Sequence, residues 1–334
     1  ELADNNETIE ELALNVGPER EGRRRSQRAR NRMCEGLRHV LTTNTTIKTM
    51  RLEAGLEDVI FYVFSESNAI ENLVIDFDTA DEIGPAFQER LARDATNKRK
   101  LKRLSLVGHC AEHRSTRIYD PPKFCLDPFV SLLRSPHSLR EFHISGFCLD
   151  DDIVELAETI QSNYDQCPLE AVTLSECITS TDCVPFLLAA LDILLGSSCK
   201  NLRKLGIARN NLGDAETTSI ADCHLKYNTT LQELDYSDNP LTMDGENALV
   251  SVLRDCNVTL QSLDLGLPLP RELNFCIKLN QAGRSKLKCP LLTKPEFVDL
   301  LVEGEPEDEG PTAEADGLSV VYELLRQVPH LWTV

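Results

Sequence analysis

The chain reads as an α/β solenoid of about nine repeats, each made of a short strand, a tight turn and a helix, and three observations predict it. An apolar pattern recurs: Leu101-x-x-Leu104-x-Leu106, Leu202-x-x-Leu205-x-Ile207, Leu231-x-x-Leu234-x-Tyr236 and Leu260-x-x-Leu263-x-Leu265. Less perfect copies start at Ile9, Ile47, Ile70, Leu139 and Leu169. The starts follow one another at a period near 30 residues, the mark of units that bury their apolar faces only by stacking. Between the strand-like patterns the apolar residues take helical spacing, so the strands must lie parallel and side by side, with the helices on the opposite face.

Leu202 to Thr230 shows how one unit is built. Leu205 and Ile207 face inward from a short strand, Asn210 follows, and Leu212 closes the turn back into the core. Asp214 is placed to cap a helix, on which Ile220, Cys223, His224 and Tyr227 share one face. The next unit repeats the order with Asn239 and Leu241, then Ala248, Leu249, Val252 and Leu253.

This grammar, L-x-x-L-x-L-x-x-N-x-L followed by a helix, resembles leucine-rich repeats. The period and the helical return resemble their ribonuclease-inhibitor-like class. Leu202–Leu212 and Leu231–Leu241 match in full. The resemblance implies a curved parallel sheet on a concave side and helices on a convex side. It also implies that the ninth residue of each repeat bonds turn backbone and builds a ladder along the solenoid. Cys177, Asn210 and Asn239 fit that structural role, whereas Gly17, Gly55, Asp78, His109, Phe147 and Pro268 stand in equivalent places and depart from it.

The repeats account for residues 1–268. Thr8-Ile9-Glu-Glu-Leu12 is already strand-like with no polar capping unit before it, so the natural protein is expected to begin earlier. Residues 269–334 read as a C-terminal cap carrying an acidic loop at 303–316, an amphipathic helix through Val321, Leu324 and Leu325, and the single tryptophan, Trp332. This cap is similar to those of leucine-rich-repeat proteins from unicellular algae.

Composition narrows the partners. Of the residues, 41% are hydrophobic and only 5% aromatic, so the packing relies on Leu, Ile, Val and Ala. A net charge of −19 disfavours nucleic acid and anionic membrane and leaves basic protein surfaces as partners. The chain is expected to be a monomer on its own. No apolar run reaches the roughly 18 residues that a membrane span needs.

The 12 cysteines are scattered singly, with no CxxC pair, and read as buried small side chains in a reducing cytosol. Sequons at Asn6, Asn44, Asn228 and Asn257 point the other way. The last three directly precede strands. There Asn suits the left-handed residue that ends a helix, and Thr leads into the strand.

Three features could carry contacts. Arg20, Arg23, Arg24, Arg25, Arg28, Arg30 and Arg32 are either the solvated side of a helix with Met33 and Leu37 inside, or a patch for nuclear import, an acidic partner or a kinase at Ser26. The long segment from His109 to Phe124 is either a contact loop or a tolerated insertion. The outward strand positions form the third. Arg103, Glu141, His143, Lys204, Arg209, Asp235 and Asp264 are the candidate protein-binding residues, expected to point outward and to have no structural duty. Phe77 is the one aromatic expected on that face.

Catalysis finds little support, because no G-x-S-x-G, H-E-x-x-H, P-loop or strand-linked G-x-G-x-x-G is present. No metal or other cofactor is expected. The main reading is a non-enzymatic cytoplasmic protein-binding scaffold, with nuclear entry possible through the Arg23–Arg32 cluster. The alternatives are a regulator of a small GTPase similar to Ran GTPase-activating proteins, which share the repeat class, and the sensor portion of a larger signalling receptor.

Overall fold

The computed structural model describes residues 11–14, 35–36, 39, 44–53, 69–77, 85–97, 100–108, 126–135, 137–163, 169–178, 181–196 and 199–284. Nine strands and seven α-helices lie within them. The chain divides into two units, Glu1–Leu194 with Ser198–Leu202, and Leu195–Ser197 with Arg203–Val334.

In the first unit, parallel strands β1 (Glu11–Leu14), β2 (Thr49–Glu53), β3 (Asn72–Phe77), β4 (Arg103–Gly108), β5 (Glu141–Ser145) and β6 (Ala171–Ser175) follow in chain order. Helices α1 (Pro85–Asn97), α2 (Asp127–Arg134), α3 (Asp152–Ser162) and α4 (Val184–Leu194) belong to the same unit, each packed on the next. In the second unit, β7 (Lys204–Gly206), β8 (Glu233–Asp235) and β9 (Ser262–Asp264) alternate with α5 (Asp214–Ser219), α6 (Met243–Asp255) and α7 (Arg271–Gln281). Each unit is thus an α/β repeat array with a parallel sheet.

Every strand begins two residues after the start of an apolar pattern. The register pairs equivalent residues: Leu12, Met50, Leu73, Leu104, Phe142 and Val172 form one lateral row, and Leu205, Leu234 and Leu263 another. The irregular spacing of the early repeats is therefore absorbed outside the strands. A one-residue slip would turn each apolar set out to solvent, which locks the register wherever one face is buried. Met50, Leu52, Leu73, Ile75, Leu104, Leu106, Phe142 and Ile144 are all fully buried. Burying one such side chain contributes roughly 1.5–3 kcal/mol.

A single carbonyl steers entry into β3, β4, β5, β6, β8 and β9. Glu71 and Asn72 N–H both donate to Lys48 O, Lys102 and Arg103 N–H to Glu71 O, and Arg140 and Glu141 N–H to Lys102 O. In the second unit, Gln232 and Glu233 N–H donate to Arg203 O, and Gln261 and Ser262 N–H to Gln232 O.

The turns after β5, β6, β7 and β8 share a left-handed residue at the eighth repeat position: Gly146 (φ 76°), Glu176, Arg209 and Asp238 (φ 56° each). At Gly146 only glycine fits, since an added Cβ would lie 2.0 Å from Gly108 O. Arg209 therefore sits in the turn after β7 and not on the strand, a correction to the sequence reading. Phe77 is also corrected: it is 5% exposed and packs edge-on against the Phe147 ring at 5.6 Å. A π-type turn over Ile220–Leu225, with Lys226 N–H reaching Ala221 O, adds a residue to the helical path. Ile220, Ala221, His224 and Leu225 consequently face in, while Cys223 is exposed and Tyr227 is 71% exposed.

Asp127 opens α2 from its first helical position, beside Pro128, and provides no side-chain cap. Past residue 268 the chain forms α7, which buries Leu273, Cys276, Ile277 and Leu279. Among the described residues no helix is long and apolar enough to cross a membrane. The Arg20–Arg32 cluster, the His109–Phe124 segment and the 303–316 loop lie outside the described residues.

Candidate protein-binding face

On the first unit the outward strand residues form lateral pairs. Arg51 and Asp76 meet at 2.7 Å between β2 and β3, and Asn72 Nδ2 donates to Thr49 Oγ1 at 3.0 Å. Arg103 and Glu141, opposite each other in the β4–β5 register, form an ion pair. His143 continues the line, with Nε2 3.4 Å from Glu141 Oε2 and Nδ1 2.6 Å from Thr173 Oγ1 on β6. One polar chain, Arg103–Glu141–His143–Thr173, thus crosses three strands.

Burial lowers the His143 pKa most, and the positive Arg103 adds to it, with Glu141 opposing both. The ring is therefore neutral at neutral pH. A carboxylate only accepts, so the single N–H belongs on Nε2 facing Glu141, and Nδ1 accepts the Thr173 hydroxyl proton.

On the second unit Lys204 and Glu233 pair at 2.9 Å across β7 and β8, and Arg209 and Asp238 pair at 2.9 Å between successive turns. Gly206, Asp235 and Asp264 share a row, which sets two carboxylates side by side on adjacent strands. Asp235 Oδ1 accepts Ser237 N–H at 3.0 Å and its hydroxyl at 2.7 Å, and Asp264 Oδ1 accepts Gly266 N–H at 2.8 Å. The candidate residues on the strands do point outward, but they are not without structural duty. They tie neighbouring strands together or close the turns that follow. The ion pairs are half-exposed and contribute about 0–1 kcal/mol each, so they shape the surface more than they stabilise it.

Of the ninth-position residues, Asn239 and Cys177 reach backbone groups of their own and the preceding repeat. Asn239 Oδ1 accepts Asn210 N–H at 3.0 Å and Leu212 N–H at 3.1 Å, and its Nδ2 donates to Ile207 O and Tyr236 O at 3.0 Å each. Asn210 is fully buried. Cys177 is buried with its Sγ 3.3 Å from Ser175 O and 3.6 Å from Ile144 O, and burial pushes its thiol pKa up.

A second asparagine ladder was not foreseen from the sequence. Asn44, Asn228 and Asn257, the sequon residues, do not take the left-handed conformation expected of them; none has positive φ. Each is buried and folds its side chain forward, so that Oδ1 accepts the N–H groups two and three residues on: Thr46 and Ile47, Thr230 and Leu231, Thr259 and Leu260. Asn228 Nδ2 also donates to Leu195 O, and Asn257 Nδ2 to Leu225 O and Asn228 O. Asn280 Nδ2 continues the row onto Leu260 O at 2.8 Å. The recurrence of Asn-x-Thr before an apolar strand residue was the available signal, and the asparagine-closed turn is its physical meaning.

The seven described cysteines are thiols. Cys177, Cys199 and Cys276 are buried, Cys148, Cys183 and Cys256 are half-buried and Cys223 is exposed, so burial is less general than the sequence suggested. Among the described residues no group of three or more His, Cys, Asp or Glu is placed to hold a metal ion.

No family model matches the chain, and no curated protein matches it. Among solved structures it is similar to the leiomodin-1 actin-binding site 2, at 16% identity and a TM-score of 0.40 over 49% of this chain and 94% of that one. It is also similar to the Proteus mirabilis N-acetylneuraminate lyase, at 12% identity and a TM-score of 0.25 over 95% and 98% of the two chains.

Proposed function

We propose that this chain is a non-enzymatic leucine-rich-repeat protein of the ribonuclease-inhibitor-like class that binds another protein on the solvent-facing side of its sheet. Supporting this is the row Arg103–Glu141–His143–Thr173, whose charged and polar side chains are held on strands with an invariant register. Such a row displays polar groups at repeat intervals on a rigid support, and the partner reads which groups stand at which strand. Residues 269–334 serve as the C-terminal cap. Thiols at all seven described cysteines suit an intracellular location.

The test keeps each ion pair and inverts its polarity. A partner recovered with the full chain is measured against Lys204→Glu with Glu233→Lys, and against Arg103→Glu with Glu141→Arg. Stability should change little for the Lys204–Glu233 swap, where the pair survives, and for the other by no more than the lost Glu141–His143 contact. Association should weaken, and the loss should be greater at low salt, where surface charges are less screened. Unchanged association with both double variants would remove the sheet face as the binding site.

A further inference from the structure

Two positions in the second unit break the polar pattern of their own repeats. The last two spacings, Leu202 to Leu231 and Leu231 to Leu260, are equal, so residues align directly. Met243 stands where the preceding repeat has Asp214, and Leu267 stands where the two preceding repeats have Asp238 and Arg209. Those polar residues have duties: Asp214 bonds the start of α6, and Arg209 and Asp238 pair with each other. Their replacements are large, apolar and in water, Met243 at 74% and Leu267 at 77% exposure.

Met243 issues from the helix start that follows the turn after β8, and Leu267 from the turn that follows β9. A Cβ added at Gly266, the neighbour of Leu267, would lie 3.1 Å from Asp238 Oδ1 and 3.3 Å from Ser237 Cβ, so the two turns pack on each other. Met243 opens α6 directly after the first of these turns. Single exposed apolar side chains are ordinary; what sets these two apart is that each replaces a polar residue of the preceding repeat and stands among carboxylates. The charge around them is negative. Asp235 and Asp264 lie side by side at the strand ends, and exposed Asp244 and Glu272 follow at the helix starts, against Arg271.

We infer that the turn edge of the second unit docks a segment of a partner protein that carries apolar residues flanked by Lys or Arg. The apolar side chains cover Met243 and Leu267, and the cations meet the carboxylates. A net charge of −19 opposes a second copy of this chain in that place. The inference rests on the protein-binding reading above and adds to the sheet face a second contact edge and the kind of partner segment that fits it.

The experiment measures fluorescence anisotropy of a short synthetic peptide, two Leu–Phe pairs flanked by Lys and Arg, with the full chain. Controls replace the apolar residues by Ser or the cations by Glu. Met243→Gln with Leu267→Gln should weaken binding by about tenfold or more, as should either control peptide. Asp222→Asn, on the exposed helix side, should leave it nearly unchanged, and the polarity swap Lys204→Glu with Glu233→Lys is measured beside it. No binding at about 1 mM peptide, equal binding by the Gln variant, or equal binding by the Ser peptide would each overturn the inference. Sedimentation of the full chain gives the remaining outcome: a dimer lost in the Gln variant would assign the edge to a second copy. Loss of peptide binding on the polarity swap, with the Gln variant normal, would return the site to the sheet face and defeat this inference alone.

Discussion

The Asp214 carboxylate caps the helix of the repeat that follows its own, with Oδ2 accepting the Thr242 hydroxyl at 2.6 Å and Oδ1 accepting Thr242 N–H at 2.9 Å. The same Oδ1 accepts Gly245 N–H at 3.1 Å. Thr242 is itself the residue from which α6 starts. The sequence marks Asp214 as the cap of its own helix. The structure gives that start to Gly213, whose N–H is taken by Glu216 Oε2 at 2.9 Å. The cap thus links consecutive repeats.

Asp214→Ala should lower the urea midpoint. The Thr242 hydroxyl, followed by the Thr242 and Gly245 backbone groups, holds the Asp214 pKa below its ordinary value. A depressed folded pKa contributes stability that is present above the unfolded value and lost as pH falls through the folded one. The gap between wild type and variant should therefore be full at neutral pH and close in the acid range below the usual carboxylate pKa. A gap independent of pH would exclude the charged cap.

Gly245→Ala tests the same contact from the other side. Alanine is ordinarily favoured over glycine in a helix by about 1 kcal/mol. Here an added Cβ would lie 2.6 Å from Asp214 Oδ1 and 3.2 Å from Leu241 Cγ. The substitution should destabilise in the wild type and become neutral or stabilising beside Asp214→Ala. Stabilisation in both backgrounds would show that the cap is not made.

Asn239→Ala and Asn257→Ala should each cost roughly 1–3 kcal/mol, because each strands buried backbone groups. Asn239, itself in the turn after β8, holds the turn after β7, and Asn257 holds the entry to β9. Chemical denaturation measures both, and losses below about half a kcal/mol would mean that the ladders do not bear the turns.

His143 should titrate below the ordinary histidine range, since burial and Arg103 outweigh Glu141. A histidine held neutral in the fold loses stability as pH falls below its unfolded value. The wild-type urea midpoint should therefore drop more steeply from pH 7 to 5 than that of His143→Gln. Identical slopes would contradict the half-buried polar chain from Arg103 to Thr173.

What the sequence made legible follows the range of each interaction. Strand positions were readable, and from the fourth repeat on the register too, down to pairs such as Leu104 and Phe142, because alternation and a repeated start are local signals. In the first three repeats the departures at Gly17, Gly55 and Asp78 left the register open. The Asn239 ladder was readable through the resemblance. The Asn228 and Asn257 turns were visible as a recurring Asn-x-Thr but misassigned, because backbone conformation is not written in the letters. Cys223 and Tyr227 were misplaced because a π-type turn shifts the helical period by one residue. The partners of Asp235 and Asp264, and the reach of Asp214 into the next repeat, depend on turns whose shape only the structure shows.

The most direct measurement is covalent footprinting of carboxylates and histidines in the full chain, alone and with a recovered partner. Binding on the sheet face should protect Glu141, His143, Glu233 and Asp235, and leave the helix residues Glu155, Asp222 and Asp255 reacting as before. Protection of Glu155, Asp222 and Asp255 with the strand residues unchanged would contradict the account and move recognition to the helices.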